Sequence, residues 1–347
     1  MKVGMRERLA QLAGPVYHTG AEFPGVIGAR GGLAIIKTLP HGRPGAFAWG
    51  WFVVAGIAGA DLVLCGRAAI SVSGWGELSL ACGCIGVVAL LYGLSGRSIV
   101  LSRMAHWSLL WILMSAACAV MTYATASLSG PPQDAALARI DTALGFSWIG
   151  WHRFVCAHPV LRLALEIIYV TLMPQIIFTI FYCALTRQNR RNVEFFFLAT
   201  GSLLASILIS WEVPALGASP FHGFPEEMRP LYLDELLRLR AHELHRVAFS
   251  GLKGLIVFPS FHTVLAILFP YVLRGNRRVS RCVLGLNLVL LVSIPVAGGH
   301  YLADMLGGAA VAAVAIVIAR AAERLLSSGQ GSGDEETLAT HADLGSS

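Results

Sequence analysis

The chain has 347 residues, of which 56% are hydrophobic and 13% charged, about half the charged fraction of a water-soluble domain. That balance excludes a soluble globular enzyme. The formal net charge of +6 falls in short basic runs between apolar segments, with no interleaving of basic and aromatic residues, which excludes nucleic acid as a partner.

Residues 1–45 are basic, rich in Gly and Pro, and lack an apolar run ending in a cleavage site. They read as a cytoplasmic tail rather than a signal peptide. Beyond them a spanning helix needs about 20 mostly apolar residues. Such runs lie near 46–66, 78–95, 107–128, 160–185, 193–213, 256–273, 282–299 and 303–322. The expected fold is therefore all-α: a polytopic membrane bundle of about eight transmembrane helices. Residues 46–100 supply two additional helices, 101–326 form a catalytic membrane domain, and 327–347, rich in Gly, Ser and acidic residues, form a disordered tail. Seven scattered cysteines suit neither a disulfide framework nor a metal site.

Basic residues orient the bundle. With the N-terminus inside, the inner segments collect Arg97 and Arg103, then Arg187, Arg190 and Arg191, then Arg274, Arg277, Arg278 and Arg281, then Arg320 and Arg324. This satisfies the positive-inside rule. Both termini are expected in the cytoplasm of a cell whose plasma (inner) membrane holds the chain. One outer loop, 214–255, breaks the pattern with Arg229, Arg238, Arg240, Arg246 and Lys253.

A second outer segment, 129–158, repeats Leu137, Ile140, Leu144 and Trp148 at helical spacing and reads as an interfacial amphipathic helix. Asp134 and Asp141 are expected on its solvated face. Asp61 and Glu166 fall within apolar runs, where ionisable groups face the bundle interior and pair with a neighbour. Glu212 sits at a helix boundary.

The chemistry-bearing stretches are Pro259-Ser260-Phe261-His262 and Gly298-Gly299-His300-Tyr301-Leu302-Ala303-Asp304. The topology puts both at the outer boundary of the membrane. Two imidazoles and a carboxylate at one depth are unusual where charge costs several kcal/mol. His300 and Asp304 stand at i and i+4, so a helix starting by residue 300 places them on one face. Asp304 then fixes the tautomer of His300 and leaves its other nitrogen basic, as a nucleophile or general base. Pro259 and Ser260 suit a helix start, with Ser260 as N-cap and an anion site at the free N–H groups. His262, in the first turn, is placed to protonate a leaving oxygen.

These segments resemble the second and third motifs of the type 2 phosphatidic acid phosphatase superfamily, most closely the branch containing inositol phosphorylceramide synthases. The resemblance covers the six helices from about 107 to 322. It implies that His300 forms a phospho-histidine, that Asp304 orients it, and that His262 is the acid and base for the leaving and entering oxygens. It implies no metal and no cofactor. The substrate it implies is a membrane lipid, with a lipid alcohol, a polyol or water as acceptor. Two departures matter. Phe261 replaces the Gly of the hydrolase Pro-Ser-Gly-His. Ile294, after Ser293, stands where hydrolases carry an Arg, which favours transfer over hydrolysis. His222, six residues and Arg229-Pro230 loosely match the first hydrolase motif. Ser260, Arg229 and Arg240 are the expected phosphate-binding residues, with Arg246 and Lys253 as further cations. The competing expectations are hydrolysis of a lipid phosphate or undecaprenyl diphosphate by the same residues, and a non-catalytic transporter or scaffold.

Overall fold

The structure, a computed structural model, describes the backbone of residues 45–223 and 232–344, with side chains through Arg324. The N-terminal tail and Arg229 lie outside the described residues. In chain order the elements are α1 (Ala46–Ala68), β1 (Ser71–Ser73), α2 (Trp75–Ser95), α3 (Ile99–Leu128), α4 (Asp134–Ala143), α5 (Trp148–Cys156), α6 (Pro159–Val170) and α7 (Leu172–Leu185). There follow α8 (Asn189–Glu212), α9 (Ala218–Phe221), α10 (Leu233–Arg240), β2 (Arg246–Ala248), α11 (Phe261–Val272), α12 (Arg277–Ala297) and α13 (Leu302–Leu344).

The chain is an all-α polytopic bundle. Helices α1, α2, α3, α8, α12 and the Leu302–Arg324 part of α13 are each long and apolar enough to cross a bilayer. Helix α2 buries none of its residues. A helix apolar all round with no buried face belongs in lipid, where every backbone polar group is satisfied within the helix. The backbone of α13 runs on to Leu344, through the stretch whose composition suggested a loose tail.

Two expected spans take another form. The run 160–185 is a bent pair, α6 and α7, with 41° between them. Pro174 explains the break: it has no N–H to give the Val170 carbonyl, and its ring crowds that turn. Thr171 and Gln175 stabilise the corner, with Thr171 Oγ1 donating to the Ile168 carbonyl at 2.6 Å and Gln175 Nε2 to Thr171 Oγ1 at 3.1 Å. The run 256–273 is helical only over α11, 12 residues. That is about 18 Å of helix, short of the roughly 30 Å hydrocarbon layer. Seven of the 12 residues of α11 are buried and none is exposed, with Val264, Leu268, Phe269 and Val272 fully enclosed. It sits against α8, α12 and α13, so this short helix is the centre of the bundle rather than a wall of it.

The core joins α3, α8 and α11 through Trp107, Trp111, Phe195, Phe196 and Phe269. The two additional helices, α1 and α2, pack on α3. A parallel pairing of β1 with β2 ties their connecting loop to the segment before α11, with Ser71 opposite Arg246 and Ser73 opposite Ala248. Trp75 meets Phe249 edge-on at 4.7 Å beside it. A second tie comes from Tyr123 of α3, whose hydroxyl donates to Glu235 of α10 and accepts from the Lys253 N–H at 3.1 Å.

Charged residues in the apolar runs are handled unequally. Glu166 does pair, with Arg162 at 2.7 Å, but on the exposed side of α6 rather than in the interior. Asp61 is buried as expected, yet its Oδ1 has no hydrogen-bond partner. All seven cysteines are free thiols.

Candidate active site

The second of the two candidate stretches, residues 298–304, is built by the turn between α12 and α13. Gly298 ends α12, and Gly299 at φ +66° reverses the chain. Helix α13 starts at Leu302, so His300 lies before it and not within its first turn, as the i, i+4 argument supposed. The contact forms all the same. Asp304 is the third residue of the helix, and its carboxylate reaches back over the unsatisfied N-terminus. Its Oδ2 accepts from the Tyr301 N–H at 2.9 Å and from His300 Nδ1 at 3.0 Å. Asp304 is fully buried, His300 nearly so. With Nδ1 bound, the tautomer is fixed and Nε2 is the nitrogen left to react.

The other free N–H groups of α13 are capped from a distance. Asp141 accepts from Leu302 N at 3.0 Å and from Ala303 N at 2.8 Å. Asp134, two turns earlier on α4, accepts from Leu216 N and Gly217 N at 2.9 Å each and from the Tyr301 hydroxyl at 3.2 Å. Both carboxylates are buried, which corrects their placement on a solvated face. Burial pushes the Asp141 carboxyl up, against the pull of its two backbone donors. The sequence hint was indirect: Tyr301 is a poor residue to precede a helix, so its cap had to come from elsewhere.

The first stretch docks against α13 backbone to backbone. Ser260 N–H donates to the Asp304 carbonyl at 2.9 Å. Gly307 and Gly308 make the approach feasible. A Cβ on Gly308 would overlap the Ser260 carbonyl oxygen and come within 3.0 Å of Thr263 Cβ. One on Gly307 would meet the Phe258 ring at 2.9 Å and Pro259 at 3.0 Å. Ser260 is the N-cap of α11, as expected, its Oγ accepting from Thr263 N at 3.5 Å. It is also fully buried, with its hydroxyl engaged at the helix end.

The docking brings His262 and His300 to 6.3 Å between ring centroids, at 56°. His262 is partly exposed and stacks on Tyr169 of α6, 4.4 Å away and 14° from parallel. Tyr169 had no sequence signal as a site residue. It reads as one more apolar position of its run, and only the break caused by Pro174 swings it here.

Of the expected phosphate cations, the three among the described residues are engaged or exposed away from the two histidines. Arg240 ends α10 with Nη1 donating to Ser129 Oγ at 2.7 Å and Nη2 to the Gly130 carbonyl. Lys253 pairs with Glu235 at 2.8 Å. Arg246 is exposed on β2. Ile294, at the position of the hydrolase Arg, is fully buried. Among the described residues no Arg or Lys bonds to His262, His300 or Asp304. His222 is likewise away from the gap, stacked on Trp148 at 5.6 Å. Among the described residues no group of three or more His, Cys, Asp or Glu is placed to hold a metal ion.

Trp148 stacks with two imidazoles, His222 at 5.6 Å and His152 at 4.9 Å. Burial holds both histidines below their ordinary value near 6.5. Depressed folded values mean stability that is present above pH 6.5 and lost as pH falls through the folded values. The thermal midpoint of the purified protein is expected to drop on moving from pH 7 to pH 5. Replacing both histidines with Phe should shrink that drop. An unchanged acid dependence would show that these rings do not titrate on unfolding.

An apolar groove of about 1160 Å³ runs between α8 and α13 and reaches Phe258, Pro259 and Gly307, directly behind the Ser260–His262 turn. Compared with known families, residues 135–318 match the model of the PAP2 superfamily. The match begins in α4, takes in Asp141, Tyr169, His262, His300 and Asp304, and ends within α13. No curated protein and no solved structure matches the chain.

Proposed function

Because the chain belongs to the PAP2 superfamily, a group of phosphatases and phosphotransferases, we propose that it is an integral membrane lipid phosphotransferase. It works through a phospho-histidine and is similar in its choice of transfer to the inositol phosphorylceramide synthases. One observation carries the reading: an imidazole oriented by a buried carboxylate faces a second imidazole across 6.3 Å, about the space that a phosphoryl group fills.

A lipid lies with its chain in the α8–α13 groove and its phosphate between the two rings, on the extracytoplasmic side. His300 Nε2 attacks phosphorus as the bond to the leaving oxygen breaks, and protonated His262 gives that oxygen its proton. An acceptor hydroxyl then gives its proton to His262 and attacks phosphorus, and the P–N bond breaks. Both imidazoles are restored. Asp304 stabilises the charge that His300 carries while phosphorylated. Arg240 and Arg229 are the cations we assign to the phosphate, Arg240 by exchanging Ser129 and Gly130 for phosphate oxygens.

The buried Ile294 supports transfer, since the gap gains no cation from α12 to hold a free phosphate product. The test places the purified protein in vesicles with a donor phospholipid and a long-chain alcohol. New phospholipid in excess of free phosphate is the expected result. Free phosphate alone would replace transfer with hydrolysis of a lipid phosphate. Neither product, over a panel of phospholipids and lipid phosphates, would leave the non-catalytic reading.

A further inference from the structure

The gap between His262 and His300 has a third wall that the mechanism above does not use. Tyr169 occupies the last turn of α6, three residues before α7 begins at Leu172. Its ring is stacked on His262. Its hydroxyl lies beside His300: a Cβ built on Gly298 would sit 2.9 Å from Tyr169 Oη and 2.7 Å from His300 Cδ2. One side chain thus touches the acid through its ring and approaches the nucleophile through its oxygen.

The state of that hydroxyl sets it apart. Neighbouring tyrosines have acceptors: Tyr301 donates to Asp134 at 3.2 Å, and Tyr232 to the Leu216 carbonyl at 3.2 Å. Tyr169 Oη has no hydrogen-bond partner among the described residues, although the ring around it is largely enclosed. A phenol held by stacking on one imidazole, with an unused O–H beside the other, is a pre-oriented donor. Phosphoryl transfer needs such a donor. Charge gathers on the non-bridging oxygens, and among the described residues no Arg or Lys bonds to the three site residues.

Resting on the phosphoryl-transfer reading, we propose that Tyr169 is a further catalytic residue. Its hydroxyl donates a hydrogen bond to a non-bridging oxygen of the group in transfer, while its ring holds His262 at the leaving-oxygen side. No proton changes hands at Tyr169. The O–H remains on the phenol throughout, so the step balances without a further reactant. The bend at Pro174 acquires a purpose in this scheme, because a straight α6–α7 span would carry Tyr169 along a wall instead of into the gap.

Tyr169→Phe keeps the stack and removes only the oxygen, and Tyr169→Leu removes both. Two readouts are used with each: turnover of the lipid substrate, and binding of orthovanadate, a five-coordinate analogue of the group in transfer, followed by vanadium NMR. Tyr169→Phe is expected to lower kcat by roughly 10²-fold, the scale for losing one transition-state donor. KM and the melting temperature should stay near wild type, and vanadate binding should weaken by a similar factor. Tyr169→Leu is expected to add a shift in the pH profile of kcat, through loss of the stack on His262. A Phe variant within about two-fold of wild type in both kcat and vanadate binding overturns the proposal. His300→Ala separates the two levels. If it is inactive while Tyr169→Phe is wild type, only the Tyr169 role falls. If it turns over normally, or if the wild type binds no vanadate, the phosphoryl reading falls and takes this proposal with it.

Discussion

Replacing His300 with Ala is expected to abolish turnover, a loss of roughly 10³-fold or more, in a protein that still folds. The expectation follows from what each nitrogen does. Nδ1 is engaged with Asp304 Oδ2 at 3.0 Å, so Nε2 is the nitrogen presented to the gap. No second nucleophile takes its place: the Tyr301 hydroxyl is donated to Asp134, and the Tyr169 phenol beside His300 keeps its proton. His262→Ala should cost less, roughly 10² to 10⁴, since water can replace a general acid inefficiently. Asp304→Asn is the informative third variant. Its amide oxygen can still accept from Tyr301 N and His300, but its NH₂ would be buried where Asp304 Oδ1 has no partner now. The negative charge behind the phosphorylated imidazole would also be gone. We expect a loss in kcat close to that of His300→Ala, with some loss of stability. Steady-state rates on one lipid substrate, with melting curves for each variant, check all three.

The second large effect is steric. Gly308→Ala is expected to destroy activity and lower stability markedly, although position 308 touches no substrate. The new methyl group would overlap the Ser260 carbonyl oxygen and press on Thr263 Cβ at 3.0 Å. Neither atom can rotate away, so α13 and the Ser260 turn must separate. Overpacking of this kind typically costs about 1–3 kcal/mol, occasionally more. A misplacement of about 1 Å between reacting groups can cost 10²-fold in rate. Gly307→Ala should be milder, because its closest neighbour is the Phe258 ring, which can swing. Gly201→Ala on α8, with nothing within 4 Å of the added Cβ, should melt at or above the wild-type temperature. The order 308, 307, 201 in both rate and melting point is the prediction. A tolerated Gly308→Ala would mean that the two stretches do not dock as closely as the backbone bond from Ser260 to Asp304 implies.

Composition and periodicity were enough for the membrane bundle because apolar runs of spanning length are a local signal. They failed where length was set by tertiary structure. The run 256–273 is apolar throughout, yet only Phe261 onward is helical, since Pro259 and the cap at Ser260 delay the helix. The three residues that the structure brings together, His262, His300 and Asp304, stand out in sequence because each is an ionisable residue in an apolar setting. Their supports do not. Asp134 and Asp141 look like polar positions of an amphipathic helix, and nothing nearby in sequence shows that their partners are the N–H groups of residues 216–217 and 302–303. Arg240 stands out as a phosphate clamp by charge, but charge does not reveal that Ser129 and Gly130 hold its guanidinium here. Tyr169 depends on a bend whose cause, Pro174, is visible, while the direction of the bend is set by packing.

The central claim is that the phosphoryl group passes through His300. The direct measurement is to quench the reaction in vesicles within a turnover and map phosphate on the protein by mass spectrometry under alkaline conditions, which preserve a phosphorus–nitrogen bond. The account predicts acid-labile phosphate on His300, none in His300→Ala, and a greater amount in His262→Ala, where the acceptor hydroxyl has lost its base. Phosphate on another residue, or labelling that survives in His300→Ala, would contradict it.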